Sequence, residues 1–232
     1  GFALSLRVVF FLGLCVADDF TYCRFVSKIL HGEPYFSTES EFRSLRWPTI
    51  LPVLLSFWLF GVSEAGAVWG SLFYSLGSIV ILFWVGRKLF GERVGLYAAL
   101  LLAAFPGDAL FATQLMPDIA ISFFMGLSVL FFLKGEAASD PREATRFYGL
   151  CGLAMLGAFL CRVTAVYHFL FFACFVFSRR RLKRRAWLVF GAFGAALGLL
   201  YLFYYFKTGD LFYELALLKK IRATEESLGR IT

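Results

Sequence analysis

The sequence has little charge, no paired-cysteine motif and no nucleotide-binding motif, and each shortage excludes a class of protein. Only 17% of its 232 residues are charged, whereas soluble globular domains carry about a quarter. Its five cysteines form neither a CxxC motif nor a zinc-like Cys/His spacing, and their odd number argues against a disulfide framework. P-loop, HExxH and GxSxG motifs are also missing. We therefore predict neither a metal site nor another bound cofactor.

Long apolar runs are what the sequence has instead, since 60% of its residues are hydrophobic. Residues 66–86 and 186–206 are apolar for about twenty positions, the length that a helix needs to cross a bilayer. The runs are apolar at odd and even positions alike, whereas a barrel strand alternates. Helices also close all their backbone hydrogen bonds internally. The sequence therefore predicts an all-α polytopic membrane protein set in a lipid bilayer.

The apolar runs predict about seven transmembrane helices. Residues 48–60 contain Pro48 and Pro52 and are too short to cross, so we expect a re-entrant or interfacial helix there. Short basic clusters then fall on one face, which the positive-inside rule makes cytoplasmic. Had residues 48–60 crossed, the acidic pair Asp18 and Asp19 would lie on the cytoplasmic side instead. The predicted spans are Phe2–Ala17, Gly66–Gly86, Val94–Phe105, Ile119–Leu133, Phe147–Cys161, Val163–Ser178 and Ala186–Phe206.

Two further regions of the chain lie outside these spans. Residues 18–60 form the predicted first outer loop, in which Phe20 to Gly32 has the three- and four-residue apolar spacing of an amphipathic juxtamembrane helix. We divide the chain into a membrane module, residues 1–210, and a polar segment, residues 211–232. Because the chain starts without methionine and ends in that polar segment, we expect a fragment whose C-terminal part is missing. The net charge of +7 comes from the short clusters that orient helices, so we predict no nucleic-acid partner.

Three carboxylates are candidate functional residues. Asp18 and Asp19 stand where the first apolar run ends, and acids at the edge of hydrocarbon are functional candidates by default. The alternative is that they only mark the end of a helix. Asp118 follows Pro117 at the start of a later run, where an acid is also favoured simply by the helix dipole.

Three arginines are candidate anion-binding residues. Arg162 lies between two apolar runs and needs Asp18, Asp118 or a ligand phosphate as its partner, unless it reaches the bilayer surface. Arg43 and Arg46 in the first outer loop add phosphate-binding charge, although loop arginines are often merely solvated. Two further features are assigned to packing: His168 as a hydrogen-bonded buried residue, and the GxxxG pair Gly194 and Gly198 as a close helix contact.

The order of these features resembles the GT-C type membrane glycosyltransferases. Asp18-Asp19 followed by Leu30, Gly32 and Tyr35 is similar to their first outer loop. Three further segments resemble the family 39 branch, which includes protein O-mannosyltransferases and the lipid A aminoarabinose transferase. These segments are RWPTILPVLL at Arg46–Leu55, GRKLFGERVG at Gly86–Gly95 and AFPGDALFATQLMPD at Ala104–Asp118.

The resemblance implies transfer of a sugar, with inversion, from a polyprenyl-phosphate donor to a lipid, glycan or protein acceptor. It implies a site on the outer face of a bacterial inner membrane, with Asp18 as the catalytic carboxylate and Asp19 and Asp118 beside it. Arg162, Arg46 and Arg43 would then bind the donor phosphate. The alternatives are a transporter or lipid-glycan flippase and a non-catalytic subunit with partners in a membrane complex.

Overall fold

The computed structural model describes residues 1–15, 17–33, 42–178, 184–217 and 219–220, and these contain helices and no strand. This confirms the all-α fold class. Short 3-10 helices at Phe42–Leu45, Val163–Ala165 and Arg184–Trp187 accompany ten α-helices. These are α1 (Phe2–Val9), α2 (Ala17–Leu30), α3 (Trp47–Phe60), α4 (Glu64–Phe90), α5 (Glu92–Ala104), α6 (Pro106–Phe111), α7 (Pro117–Ala137), α8 (Pro141–Cys161), α9 (Val166–Ser178) and α10 (Leu188–Thr208).

Four helical segments of the described chain are long and apolar enough to cross a membrane: α4, α7, α8 and Arg185–Thr208, which includes α10. The chain is therefore an integral, polytopic membrane protein. α3 and Val163–Ser178 are apolar but shorter, and α5 has 13 residues. The count of about seven crossings stays a prediction.

The two predicted juxtamembrane helices are both present. α2 contains the amphipathic stretch and ends before Gly32, whose φ of +70° is a backbone conformation that favours glycine. α3 has 14 residues with Pro52 inside it, and ends at Gly61. Its length of about 21 Å, at 1.5 Å per residue, is less than the hydrocarbon thickness. Tyr35 and the basic residues 179–183 lie outside the described residues.

Helix directions define two ends of the bundle. α4 and α7 are parallel, because Gly77 faces Phe123 and Gly126 faces Ile81. α8 runs antiparallel to α7, because Gly157 faces Phe124 and Gly135 faces Tyr148. The start of α7 and the end of α8 therefore share one end, called the site end below. The opposite end, called the basic end, carries Arg87, Lys88 and Lys134.

The predicted continuous span Phe2–Ala17 is wrong. α1 ends at Val9, and residues 10–15 are not helical. The backbone amides of Leu12, Leu14 and Cys15 instead donate to side-chain oxygens of Thr113, Glu64 and Asp19, at 3.2, 2.8 and 3.0 Å. Irregular backbone in an apolar segment is tolerated where protein groups satisfy it. The acceptors of Leu12 and Leu14 lie 101 and 50 positions away, so they leave no local signal in the apolar run itself.

A buried ion pair fixes α1 to the bundle. Arg7 is 1% exposed, and its Nη2 contacts the Asp108 carboxylate at the start of α6. Its Nε donates to Ser75 Oγ on α4 at 2.7 Å, and its Nη1 donates to the carbonyl of Ala103 at 3.2 Å. The guanidinium is therefore satisfied by α4, α5 and α6 together, which is what burial of a charge requires.

The glycine at which α10 closely approaches a neighbouring helix is not one of the predicted pair. At Gly194 and Gly198 an added Cβ would meet no atom of the described residues within 4 Å, so the predicted close contact there is wrong. The close approach of α10 to the bundle occurs at Gly152 on α8, where a Cβ would lie 2.4 Å from the carbonyl oxygen of Val189. α10 thus packs through the face that carries Val189, on which the GxxxG glycines do not lie.

His168 is buried on α9, and its Nε2 lies 2.7 Å from Ser128 Oγ on α7. The predicted packing role of this histidine is confirmed.

Candidate active site

Asp18 lies in the first turn of α2, where the helix dipole favours a carboxylate. Its Oδ1 lies 3.2 Å from Nη2 of Arg43, in the 3-10 helix Phe42–Leu45, and its side chain is 33% exposed. A carboxylate with one exposed cation partner is well solvated. It is therefore free to exchange that partner for a substrate group.

Asp19 differs sharply from its neighbour, since it is fully buried. Its Oδ2 accepts from the amide of Cys15 at 3.0 Å, and its Oδ1 accepts from the amide of Leu115 at 3.1 Å. Leu115 lies two residues before α7. Asp19 thus ties the segment before α2 to the loop before α7, and so places Asp18 at the site end.

Arg46 directly precedes α3 and contacts α2. Its Nη1 donates to the Tyr22 hydroxyl, and its Nε is buried without a hydrogen-bond partner in the described part of the chain. Burial raises the pKa of Tyr22, while the positive charge of Arg46 opposes that rise and the charges of Asp18 and Arg43 also act on the phenol. Asp18, Arg43 and Arg46 therefore surround one buried tyrosine.

A second ion pair joins the start of α7 to the end of α8. Arg162 Nη1 donates to Asp118 Oδ1 at 2.8 Å, and both side chains are about half exposed, at 46% and 50%. The Cys161 thiol beside this pair lies within electrostatic reach of both Arg46 and Asp118. All six residues singled out in the sequence lie at the site end.

An apolar groove of about 500 Å³ opens beside Arg46. It runs between α3 and α4 and reaches α7 and α8, with Trp47 and Pro48 at the end next to Arg46. The Tyr74 hydroxyl donates to the Pro48 carbonyl at 2.8 Å, which holds the start of α3 against α4. Other lining residues include Leu51, Leu55, Trp69, Phe73 and Phe124. The groove is therefore mostly apolar and begins at the residue that follows Arg46 in the chain.

A sequence model of the family described as dolichyl-phosphate-mannose-protein mannosyltransferase matches residues 50–205, which is more than half of the chain. This protein belongs to that family. Searches of curated proteins and of solved structures find no match. The resemblance seen in the sequence is thereby confirmed, and the chain is a membrane glycosyltransferase.

The mannosyltransferase match covers Asp118, Arg162 and most of the residues that line the groove. It begins after Asp18, Asp19 and Arg46, so the assignment of these three residues depends on the geometry above. Among the described residues, no group of three or more His, Cys, Asp or Glu side chains is placed to hold a metal ion. The expected absence of a metal site stays a prediction.

Sequence reasoning missed two polar residues of this mannosyltransferase-family site. Tyr22 lies three residues after Asp19 and gave no motif, although one helical turn places the two side chains on the same face. Glu214, in helical residues 213–217, is buried and packs beside Tyr204 on α10. Sequence spacing does not predict that Glu214 lies near the first outer loop, because the residues around Glu214 come from distant parts of the chain.

Proposed function

We propose that the protein transfers a sugar from a polyprenyl-phosphate donor to an acceptor hydroxyl or amine at the outer face of the membrane. The observation that carries this proposal is Arg46, whose buried Nε has no hydrogen-bond partner among the described residues and which directly precedes Trp47, a residue lining an apolar groove. A polyprenyl phosphate has the matching parts, since its anionic head would meet Arg46 and its hydrocarbon chain would occupy the groove. Two carboxylates, Asp18 and Asp118, lie at the same end of the bundle.

The donor phosphate is the leaving group, and its departure develops negative charge on oxygen. A preorganised arginine stabilises that charge most strongly where water is excluded. Arg46 is better suited to this than Arg43 or Arg162, since each of those already holds a carboxylate. Arg43 and Arg162 add positive potential and would contact phosphate after exchanging their carboxylate partners.

Asp18 is the proposed general base. As the acceptor oxygen or nitrogen attacks the anomeric carbon, its proton passes to the Asp18 carboxylate. The bond from the anomeric carbon to the phosphate oxygen breaks, and its electron pair leaves with the lipid phosphate. Attack on the face opposite the phosphate inverts the anomeric centre. The partial exposure of Asp18 would let an acceptor approach it.

Asp19 and Asp118 have supporting roles in this proposal. Asp19 is buried and bound by two backbone amides, so it would position Asp18 without touching the substrate. Asp118 would hold Arg162 and orient the acceptor from the α7 side of the mouth.

The proposed orientation of the protein in the membrane is inferred from the positions of its basic residues. Arg87, Lys88 and Lys134 lie at the basic end, and the positive-inside rule would make that end cytoplasmic. The site end would then face outward, and in a bacterium that is the outer face of the inner membrane.

The test uses the full chain reconstituted in liposomes with radiolabelled polyprenyl-phosphate mannose and, separately, the aminoarabinose donor. Lipid, glycan and peptide acceptors form parallel arms. Label moving from lipid to one acceptor class, with inverted configuration, supports the proposal. Label that crosses the bilayer while still attached to lipid would instead identify a flippase and contradict it.

A further inference from the structure

Glu214 is a buried carboxyl that the proposed reaction does not use. It is 5% exposed, and its Oε2 has no hydrogen-bond partner in the described part of the chain. It belongs to helical residues 213–217, which fold back onto the first outer loop. There Tyr213 and Leu217 pack in one apolar cluster with Leu45 and Tyr204.

Glu214 is connected to the mouth of the groove through Tyr204. The Tyr204 hydroxyl accepts a hydrogen bond from Trp47 Nε1 at 3.1 Å, and the charge of Glu214 acts on the same phenol. Trp47 lines the groove and is the residue directly after Arg46. Leu45 thus packs in one cluster with residues of the segment that contains Glu214, and Trp47 is held by Tyr204 of α10, which belongs to the same cluster.

The surroundings of Glu214 favour its neutral form. Burial raises its pKa from 4.5 to about 7. The titratable groups beside it are phenols, those of Tyr201 and Tyr204 on α10 and of Tyr213 on its own helix. The cations of the adjoining segments are Arg43 and Arg46, which flank Leu45, and Lys219 and Lys220, which are exposed.

We propose that Glu214 is a positioning residue of the site: buried and neutral, it keeps residues 213–217 docked on Leu45 and Tyr204, and so holds Trp47 and Arg46 at the groove mouth. Its effect on sugar transfer rests on the function proposed above, whereas its hold on Trp47 does not.

The difference between the pKa of docked and of released Glu214 fixes how the docking of residues 213–217 depends on pH. Docked Glu214 is neutral up to about pH 7, whereas released Glu214 in water ionises near its ordinary pKa of 4.5. Between those values the released state loses a proton that the docked state keeps, so the ratio of docked to released segment falls about tenfold per pH unit. The docking energy is fully present below the ordinary pKa and declines as pH rises towards 7. Donor binding should weaken in the same direction.

The experiment replaces tryptophan by 5-fluorotryptophan in the full chain and follows the fluorine resonance of Trp47, assigned by its loss in Trp47→Phe. Between pH 5 and 8 this resonance should shift in the wild type and stay constant in Glu214→Gln, which cannot ionise. Glu143→Gln, an exposed acid at the start of α8, should titrate like the wild type. Tyr204→Phe, which removes the hydroxyl next to Trp47, should weaken the shift and gives a second test if Glu214→Gln folds poorly.

In parallel, the KM for polyprenyl-phosphate mannose should rise several-fold from pH 5.5 to 8 in the wild type and not in Glu214→Gln, with kcat changing less. A Trp47 resonance that does not move with pH, or moves equally in Glu214→Gln, overturns the proposal. If Trp47 titrates but no sugar is transferred, the proposed function fails while the positioning of Trp47 by Glu214 stands. If transfer occurs with a KM that does not depend on Glu214, the function stands and this inference fails.

Discussion

The Asp19 carboxylate accepts a hydrogen bond from the backbone amide of Leu115, 3.1 Å away and 96 positions along the chain. This contact brings the acidic pair of the first loop to the start of α7, where Asp118 lies. The neighbouring residue Asp18 is the partly exposed member of the pair. One carboxylate therefore anchors the loop, and the other is partly accessible for the reaction that we propose.

Replacement of Asp19 by asparagine should destabilise the protein. The amide nitrogen cannot accept a hydrogen bond, so the backbone amide of Leu115 or of Cys15 loses its acceptor, at a cost of about 1–3 kcal/mol if it is the buried amide of Leu115. Thermal unfolding in detergent measures the loss. Asp18→Asn is the matched control, since it makes the same chemical change at a partly exposed residue and should shift stability by less than about 0.5 kcal/mol. Equal losses in the two variants would show that Asp19 is not an anchor.

Exchanging the charges of Asp118 and Arg162 distinguishes a structural role of this ion pair from a role in sugar transfer. Because the pair is about half exposed, Arg162→Ala should cost at most about 1 kcal/mol of stability. The double variant Asp118→Arg/Arg162→Asp keeps an ion pair and should unfold like the wild type, yet it should not regain the sugar transfer that Arg162→Ala loses. Recovery of transfer in the exchanged pair would mean that the two residues only brace α7 against α8.

The buried pair Arg7 and Asp108 should matter for stability. Arg7→Met leaves an unpaired buried carboxylate, and Asp108→Leu leaves an unpaired guanidinium, so each should cost about 3–5 kcal/mol. The double variant removes both charges and should be more stable than either single variant. Unfolding temperatures of the three variants test this, and additive losses would contradict a coupled pair.

Filling the groove should discriminate between long and short donors. Leu55 lines the groove and is 57% exposed, so tryptophan is accommodated there without disturbing buried packing. Leu55→Trp should raise the KM for a full-length polyprenyl-phosphate sugar several-fold and leave a donor with a short lipid nearly unchanged. Leu199→Trp, on the exposed side of α10, is the control and should affect neither donor. An equal effect on both donors would argue against lipid in the groove.

The sequence predicted those parts of the fold that depend on local pattern. Apolar runs located α4, α7, α8 and α10, and the prolines and short length of residues 48–60 predicted α3 as a short helix. That α3 does not cross the membrane stays a prediction. The break after Val9 was missed because the amides of Leu12 and Leu14 are satisfied by Thr113 and Glu64, which lie far away in sequence. Gly194 and Gly198 were misassigned because the GxxxG spacing does not say which face of α10 meets a neighbour.

The positions of the candidate residues could be predicted from the sequence, but the burial of each residue and its contacts could not. A charged residue at the end of an apolar run is conspicuous in any membrane sequence, which identified Asp18, Asp19, Asp118 and Arg162. Burial is not visible in the sequence, so Asp18 and Asp19 looked equivalent although only Asp18 is exposed. Glu214 looked like an ordinary residue of a polar tail, because its burial depends on contacts with Leu45 and Tyr204.

The most direct test of the account is single-turnover sugar transfer by the full chain in liposomes with Asp18→Asn. The account predicts a loss of about 10²–10⁴-fold in the rate of transfer, as expected for removal of a general base. Donor binding and thermal stability should be close to wild type, and Glu143→Gln should transfer normally. An Asp18→Asn protein that transfers sugar at the wild-type rate would contradict the account.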